Sequence, residues 1–179
     1  MKNKKMISLL PIKTERLIIR KTVTDDVDLL MKLDKQETTQ KFLGGIKNKT
    51  REERVEFLYK KIKKFNSGII GSLTVCLKDN DLPIGFLEFK IDENNNNAEV
   101  SYIFDFDYTR NGYCSECVKK LLEVGFKYLE LNNIYADTIE GNISSQKILE
   151  RLGFKLKSTR VVENGYIFLD YKILKEEYT

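Results

Sequence analysis

The sequence predicts an α+β (mixed α/β) fold in which helices flank a central sheet. Short apolar runs and residues that alternate with period two predict strands, whereas apolar residues three and four positions apart predict helices. In chain order these patterns run βα, α, βββ, αβ, α, ββ. Consecutive strands with interspersed helices are typical of a sheet that buries its faces under helices. The chain has 179 residues, so at about 150 residues per domain we expect one domain over residues 1–179.

The first part of the chain predicts a strand followed by two helices. The strand covers residues 15–22, and Thr24 is placed to cap the first helix. After a polar loop, Thr50 and Glu53 form a capping box that opens the second helix. The apolar positions of the two helices are Val27, Leu30 and Met31, and then Val55, Leu58, Ile62 and Phe65.

The middle of the chain changes to strand periodicity. We predict a hairpin of strands at residues 69–77 and 84–91 and a solvated asparagine turn at residues 94–97. A third strand over residues 98–106 has one apolar and one polar-leaning face. The apolar face carries Ala98, Val100, Tyr102, Phe104 and Phe106, and the other carries Glu99, Ser101, Ile103 and Asp105.

The last part of the chain alternates between helix and strand patterns. A turn at residues 109–112 opens a long helix with apolar positions at Val118, Leu121, Leu122, Gly125 and Leu129. The further elements are a strand at residues 133–139, a helix at 142–152 ended by Gly153, and a hairpin of strands at 154–163 and 166–174 that turns at Asn164-Gly165.

Composition excludes several classes of function. The chain has no histidine, so Ser-His-Asp and Cys-His nucleophile systems and histidine-containing metal sites are excluded, and we expect no metal. Lys and Arg number 31 against 27 Asp and Glu, a net charge of +4, so nucleic acid is not the default partner. Three cysteines without the spacing of a secreted framework predict a reducing compartment and no structural disulfide.

Residues 1–12 predict a loosely ordered N-terminus rather than a targeting signal. The short apolar stretch at residues 6–12 contains Pro11 and has no small-residue cleavage pattern behind it. No apolar run approaches the roughly 18–20 residues that span a bilayer. We therefore expect a cytoplasmic protein that does not associate with a membrane.

Five short motifs fall in order on the predicted elements. They are Thr14-Glu15-Arg16-Leu17, Pro83-Ile84-Gly85, Gly112-Tyr113-Cys114-Ser115-Glu116, Asn142-Ile143-Ser144-Ser145 and Leu152-Gly153-Phe154. Over roughly residues 12–174 the chain resembles the GNAT N-acetyltransferase superfamily, in particular its RimJ/RimL-like branch. The resemblance implies a mixed, mostly antiparallel sheet of six to seven strands flanked by about four helices. It also implies transfer of an acetyl group from acetyl-CoA, as cosubstrate, directly to a primary amine in a ternary complex.

The resemblance places the cofactor at the turn that opens the long helix. A pyrophosphate binds unpaired backbone N–H groups and the positive end of a helix dipole. Gly112 lets the backbone approach the phosphates, and Arg110 adds a cation. The remaining residues of this expected cofactor site are Asn111, Tyr113, Cys114 and Ser115. The chain departs from the family pattern at Thr109 and Cys114, where the branch usually has Trp and Ala.

Asn142 and Ser145 have two possible roles, one in capping a helix and one in catalysis. On sequence alone, Asn142 is a helix N-cap and Ser145 a first-turn residue. The resemblance instead puts the Asn142 side chain beside the pantetheine arm and makes Ser145 a candidate proton donor to the leaving thiolate. Some relatives use a tyrosine where this chain has Leu149, so the tyrosine version of the mechanism is excluded here.

The remaining chemistry requires an oxyanion donor and a base. The family provides a backbone N–H at a bulge in the strand of residues 99–106, for which we name Ile103 and Phe104. Glu99 is a candidate general base, directly or through water, and a solvated or ion-paired Glu99 is the alternative. The weaker carboxylate candidates are Glu88 and Glu140, whereas Glu116 is expected to complement the helix dipole.

The Cys114-x-x-Cys117 spacing also permits a redox or zinc interpretation. The chain lacks both a second cysteine pair and histidine, and the family needs only a small residue at position 114. We therefore expect both cysteines to be packing residues.

The acceptor amine is not identified by the sequence. Its groove is expected between the first two helices, the loop at residues 35–49 and the final hairpin, with Phe42-Leu43-Gly44-Gly45 at its border or in the core. Protein N-termini and small-molecule amines both remain open. The alternatives are a non-catalytic acyl-CoA-binding sensor and a nucleic-acid module suggested by the lysine-rich helix at residues 60–64. A homodimer is compatible with the sequence, which fixes no interface.

Overall fold

The computed structural model describes residues 1–162 and 165–178, and within them eight strands form one sheet. The strands are β1 (Ile12–Lys13), β2 (Leu17–Lys21), β3 (Ser72–Leu77), β4 (Pro83–Asp92), β5 (Asn97–Phe104), β6 (Asn133–Ile139), β7 (Lys155–Val161) and β8 (Ile167–Leu174). They lie in the order β1-β2-β3-β4-β5-β6-β8-β7. Only β5 and β6 pair in parallel; the other described pairs are antiparallel. The predicted mixed, mostly antiparallel sheet is confirmed, with short β1 as an additional strand.

Six α-helices accompany the sheet in the described part of the chain. They are α1 (Lys2–Ser8), α2 (Val27–Lys35), α3 (Glu37–Gln40), α4 (Arg51–Asn66), α5 (Tyr113–Glu123) and α6 (Ile143–Arg151). The two helices beyond the expected four are α1 and the short α3. The expectation of a loosely ordered N-terminus is wrong, because Met6 of α1 is fully buried in the main core and holds the segment against it.

Helices cover both faces of the sheet. The main core contains buried residues of β5 together with Val118 and Leu121 of α5 and Leu149 of α6. On the opposite face, Leu29 and Leu33 of α2 pack against β4 in a second, smaller cluster. All five apolar positions predicted for the long helix are buried. After α5 the chain continues as a π-helical segment, Val124–Tyr128.

The strand predicted for residues 98–106 ends earlier than its alternating pattern. β5 stops at Phe104, and Asp105 directly after it is buried. The Asp105 carboxylate accepts hydrogen bonds from Lys32 of α2 and from Gln36, the C-cap of that helix, each at 2.6 Å. Phe106, predicted to lie on the apolar face of the strand, is 46% exposed. Tertiary ion pairing therefore overrides the period-two pattern at these two positions.

Helix starts were predicted with mixed success. The capping box of α4 is confirmed, since the Thr50 hydroxyl accepts a hydrogen bond from the Glu53 N–H. Thr24 does not cap a helix but begins a 3-10 turn before α2. The predicted turn residue Asn164 lies outside the described residues.

Candidate active site

A gap opens where β5 and β6 separate. The two strands pair only from Asn97 opposite Asn133 to Glu99 opposite Tyr135, although both continue beyond this point. Parallel neighbours have their carboxyl ends at the same edge, so the helices that follow them, α5 and α6, both begin beside the gap. Ligands of α/β sheets bind in such crevices at the carboxyl ends of the strands. We therefore take this gap as the candidate active site.

Phe104 presents a backbone N–H to the gap. The register between β4 and β5 runs without a shift from Gly85 opposite Phe104 to Asp92 opposite Asn97, so the expected bulge is absent from this pair. The Asp105 N–H bonds to the Ile84 carbonyl of β4 at 2.9 Å. Because N–H directions alternate along a strand, the N–H of Ile103 also faces β4 and that of Phe104 faces the gap. Separation of the strands, rather than a bulge, exposes this donor.

Gly85 allows β4 to pack closely under Phe104. A Cβ at this position would lie 2.8 Å from the Ile103 carbonyl oxygen and 2.8 Å from the Phe104 ring. Only glycine fits this approach without a backbone shift. The Pro83-Ile84-Gly85 motif therefore helps to position the strand that lines the gap.

The loop before α5 adopts a left-handed backbone at two positions, with φ of 64° at Arg110 and 80° at Gly112. Gly112 is the N-cap of α5, and no side chain caps this helix. The helix itself offers no acceptor to the N–H groups of Tyr113, Cys114 and Ser115. These donors and the positive end of the helix dipole form an arrangement that binds phosphate.

Arg110 and Asn111 have different places in this loop. Arg110 is exposed, and none of the carboxylates in residues 1–162 and 165–178 pairs with it. Asn111 donates its side-chain amide to the carbonyls of Tyr108 at 3.3 Å and Thr109 at 3.1 Å. Arg110 is thus available to a ligand, whereas the Asn111 side chain holds the loop itself.

Arg16 of the first motif supports the same loop, which sequence reasoning did not foresee. Its Nη1 donates to the Asn111 carbonyl at 3.0 Å, its guanidinium lies 4.6 Å from the centre of the Tyr113 ring, and its Nε donates to Glu116 at 2.8 Å. Burial raises the pKa of Glu116, but hydrogen bonds from Thr14 and Arg16 outweigh it and lower the pKa. Glu116 therefore anchors β2 to the start of α5 in addition to lying in its first turn.

Ser145 and Asn142 meet at the start of α6. The Asn142 Oδ1 accepts the Ser145 N–H at 3.2 Å, so the sequence-only reading of an N-cap is confirmed. The Ser145 hydroxyl is buried and lies 2.8 Å from the hydroxyl of Tyr102 on β5. Burial raises the pKa of Tyr102, so its phenol stays protonated. Leu149, at the position of the tyrosine of some relatives, is fully buried in the core.

The other face of the sheet carries two carboxylates at the gap. Glu99 stands at the last paired position of β5, where its carboxylate lies 3.3 Å from the Lys90 Nζ. Asp137 lies two residues beyond Tyr135 on β6, where it pairs with Arg160. Burial raises the pKa of Asp137, and Glu99 adds to the effect. Neither side chain shares a face with Tyr102, so the structure does not bring Glu99 together with Ser145. The weaker candidate Glu88 pairs with Lys61.

The cysteines have the surroundings of packing residues. Cys117 is fully buried and Cys114 packs against the main core. Burial raises the pKa of both thiols, the opposite of a reactive thiolate. Cys76, Cys114 and Cys117 are all free thiols. In the described residues, no three Cys, Asp or Glu side chains converge as metal ligands.

The loop at residues 35–49 reaches the end of β6. A Cβ on Gly141, beside Asn142, would lie 3.4 Å from the Phe42 ring. The loop is held to the segment that follows β5 by Gln36, which donates to Asp105 and accepts the Phe106 N–H at 3.1 Å. Phe42 is therefore close to the start of α6.

Comparison with known proteins shows which family the chain belongs to. The acetyltransferase (GNAT) domain family matches residues 16–155, and the chain belongs to this family. The N-acetyltransferase p20 of Bacillus licheniformis is 31% identical over 144 residues, which cover 79% of this chain and 80% of p20. The N-acetyltransferase YnaD of Bacillus subtilis (strain 168) is 27% identical over 173 residues, 93% of this chain and 98% of YnaD. The chain is therefore an N-acetyltransferase.

Solved structures share the fold. A GNAT-family acetyltransferase from Bacillus anthracis superposes with a TM-score of 0.81 at 25% identity, covering 93% of this chain and 99% of that one. The spermidine N-acetyltransferase of Vibrio cholerae, solved with CoA and spermine, has a TM-score of 0.77 at 19% identity over 91% and 98% of the chains. The ribosomal alpha-N-protein acetyltransferase RimL has a TM-score of 0.78 at 17% identity over 92% and 93%. The three structures share the fold of this chain.

The helices of this chain are too short or too polar to cross a membrane in the part of the chain that the structure describes.

Proposed function

We propose that this N-acetyltransferase binds acetyl-CoA in the gap between β5 and β6 and transfers the acetyl group directly to a primary amine in a ternary complex. The observation that carries the proposal is the separation of these strands beside the N-termini of α5 and α6. One helix start offers phosphate-binding N–H groups, and the other holds a buried serine hydroxyl. Both are needed by a ligand with a pyrophosphate at one end and a thioester at the other.

Binding of acetyl-CoA rests on the loop before α5. The N–H groups of residues 113–115 bind the pyrophosphate, and the exposed Arg110 adds a positive charge. Gly112 permits close approach of the phosphates. The Asn142 Oδ1 is engaged in capping α6, so the pantetheine arm meets its side-chain NH₂ group.

Transfer begins when a neutral amine attacks the thioester carbonyl. The Phe104 N–H donates to the oxyanion that forms. Glu99, directly or through water, accepts the proton that the amine nitrogen loses. The C–S bond then breaks and its electron pair stays on sulfur, to which the Ser145 hydroxyl donates.

The final location of the proton follows from acidity. An aliphatic alcohol is a weaker acid than a thiol, whose pKa is about 8.5 in cysteine. Ser145 therefore stabilises the thiolate by a hydrogen bond, and solvent returns to sulfur the proton that the base took from the amine. The products are the N-acetylated amine and CoA.

The acceptor is proposed as a primary amine of either class, a small molecule or a protein N-terminus. Two structural neighbours support these classes, since one acetylates spermidine and the other is a ribosomal alpha-N-protein acetyltransferase. Phe42 lies near the start of α6 and is our candidate for the border of the acceptor groove.

Release of CoA thiol from acetyl-CoA in the presence of panels of amines and N-terminal peptides tests the proposal. Initial rates at varied concentrations of both substrates should follow a sequential pattern. A ping-pong pattern would contradict direct transfer. Ser145→Ala should lower kcat by about 10²-fold, the loss typical of one donor to a developing charge, whereas the exposed neighbour variant Ser144→Ala should retain full activity.

A further inference from the structure

We propose that Tyr102 is a positioning residue that orients and strengthens the Ser145 hydroxyl as the donor to the departing sulfur. This inference rests on the proposed function and extends it to a residue on a different element. Tyr102 lies on β5 on the core face of the sheet, two positions before Phe104, whose N–H faces the gap. Its hydroxyl lies 2.8 Å from the Ser145 Oγ at the start of α6.

The direction of this hydrogen bond decides what Ser145 does. A serine hydroxyl has one proton and two acceptor positions, and a tyrosine hydroxyl also has one proton. If Ser145 donated to Tyr102, its proton would be unavailable to a ligand. If Tyr102 donates, the Ser145 proton is free to point elsewhere. A phenol is a stronger acid than an aliphatic alcohol, so donation from Tyr102 to Ser145 is the favoured direction.

The surroundings of the pair favour the same direction. The Ser145 side chain is buried and its backbone N–H is engaged with Asn142, which fixes the first turn of α6. Tyr102 stays protonated because burial raises its pKa. A hydrogen bond accepted by an oxygen polarises that group and makes its own proton a better donor. Tyr102 therefore directs the Ser145 proton into the gap and strengthens its bond to sulfur.

A matched control is a second tyrosine that contacts the same helix, α6. Tyr171 of β8 is buried on the core side, whereas Tyr102 is half-buried there, and the Tyr171 hydroxyl donates to Glu150 near the end of α6 at 3.1 Å. Tyr171→Phe removes a tyrosine hydroxyl that contacts α6 away from the gap. Tyr102→Phe keeps the ring in the core and removes only the hydroxyl that contacts Ser145.

The experiment measures kcat, the KM for acetyl-CoA and thermal unfolding for four variants: Tyr102→Phe, Tyr171→Phe, Ser145→Ala and the double variant Tyr102→Phe/Ser145→Ala. We expect Tyr102→Phe to lower kcat about tenfold, the size of one lost transition-state hydrogen bond, with little change in KM. Tyr171→Phe should lower the melting temperature comparably and leave kcat unchanged. The double variant should be no slower than Ser145→Ala, because Tyr102 acts only through Ser145.

The outcomes separate this inference from the function on which it rests. If the wild type releases no CoA with any amine, the proposed function fails, and the inference fails with it. If the wild type is active and Tyr102→Phe retains its kcat, only the inference is overturned. Losses that multiply in the double variant, or equal kcat losses in Tyr102→Phe and Tyr171→Phe, would also overturn it by showing a general structural effect.

Discussion

Among single residues, two carboxylates on one face of the sheet are candidates for the general base. Glu99 is at the position where β5 and β6 separate, and its carboxylate forms an ion pair with Lys90. Asp137 is farther into the gap, and its raised pKa makes its carboxylate more basic than that of an ordinary aspartate. Each has a cationic partner, so charge pairing alone does not assign the role.

We expect Glu99→Gln to lower kcat by about 10²-fold at neutral pH, the usual contribution of a positioned base. The loss should shrink as the pH rises, because a larger share of the acceptor amine is then already neutral. Asp137→Asn is the matched control and should retain most of the activity. The reverse result, with Asp137→Asn slow and Glu99→Gln fast, would move the role of base to Asp137.

Sequence analysis named candidate site residues that belong to local motifs and missed candidates that are defined by distant contacts. Gly112, Asn142 and Ser145 are recognisable because a helix start constrains its neighbours in sequence. In the sequence, Tyr102 looks like any other apolar position of a strand. Its hydrogen bond to Ser145 joins residues 43 positions apart. The aromatic hydroxyl on the core face was the only available signal.

At the scale of secondary structure elements, β4 and β5 must approach closely for the gap to keep its shape. The contact is made at Gly85, where a Cβ would meet both the Ile103 carbonyl and the Phe104 ring. The Phe104 N–H that faces the gap is positioned by this contact.

Gly85→Ala should therefore affect stability and catalysis together. We expect the free energy of unfolding to fall by about 1–3 kcal/mol, as for other overpacked core positions. The kcat should fall as Phe104 shifts, which chemical denaturation and steady-state kinetics will measure. Full activity and unchanged stability in this variant would show that the strands adjust without moving the gap.

Helices and strands were predictable where their apolar residues repeat regularly along the sequence. The strand at residues 133–139 was predicted with the observed bounds, and the capping box of α4 is confirmed. The short α3 has too few turns to show a helical period. The helix α1 is also short, and within it the apolar residues do not repeat at helical spacing. The early end of β5 depends on ion pairing of Asp105 with Lys32, which periodicity does not contain.

At the scale of the whole molecule, three carboxylates tie separate elements together and make stability depend on pH. Burial raises the pKa of Asp26, Asp105 and Glu116, but hydrogen bonds outweigh it, so all three pKa values lie below the ordinary 3.8 of Asp and 4.5 of Glu. The donors include Arg20 and Thr74 for Asp26, Lys32 and Gln36 for Asp105, and Thr14 and Arg16 for Glu116.

A lowered folded pKa contributes stability that is present above the unfolded pKa and is lost as the pH falls through the folded pKa. We therefore expect the free energy of unfolding to change little between pH 7 and about pH 5 and to fall steeply below about pH 4. Urea denaturation at a series of pH values measures this. The Asp26→Asn variant should show a shallower slope, and a wild-type profile that stays flat to about pH 3 would contradict the account.

The proposed function depends first on the binding of acetyl-CoA by the loop before α5 and the gap beside it. Calorimetric titration of acetyl-CoA measures this binding in the wild type and in the variants Gly112→Asp and Gly68→Asp. Both glycines have φ of 80°, so the two substitutions impose the same backbone strain, and only the first adds a negative charge beside the pyrophosphate. We expect a Kd on the order of 10 μM for the wild type and Gly68→Asp and no detectable binding for Gly112→Asp. Equal binding by all three proteins, or none by the wild type, would contradict this expectation.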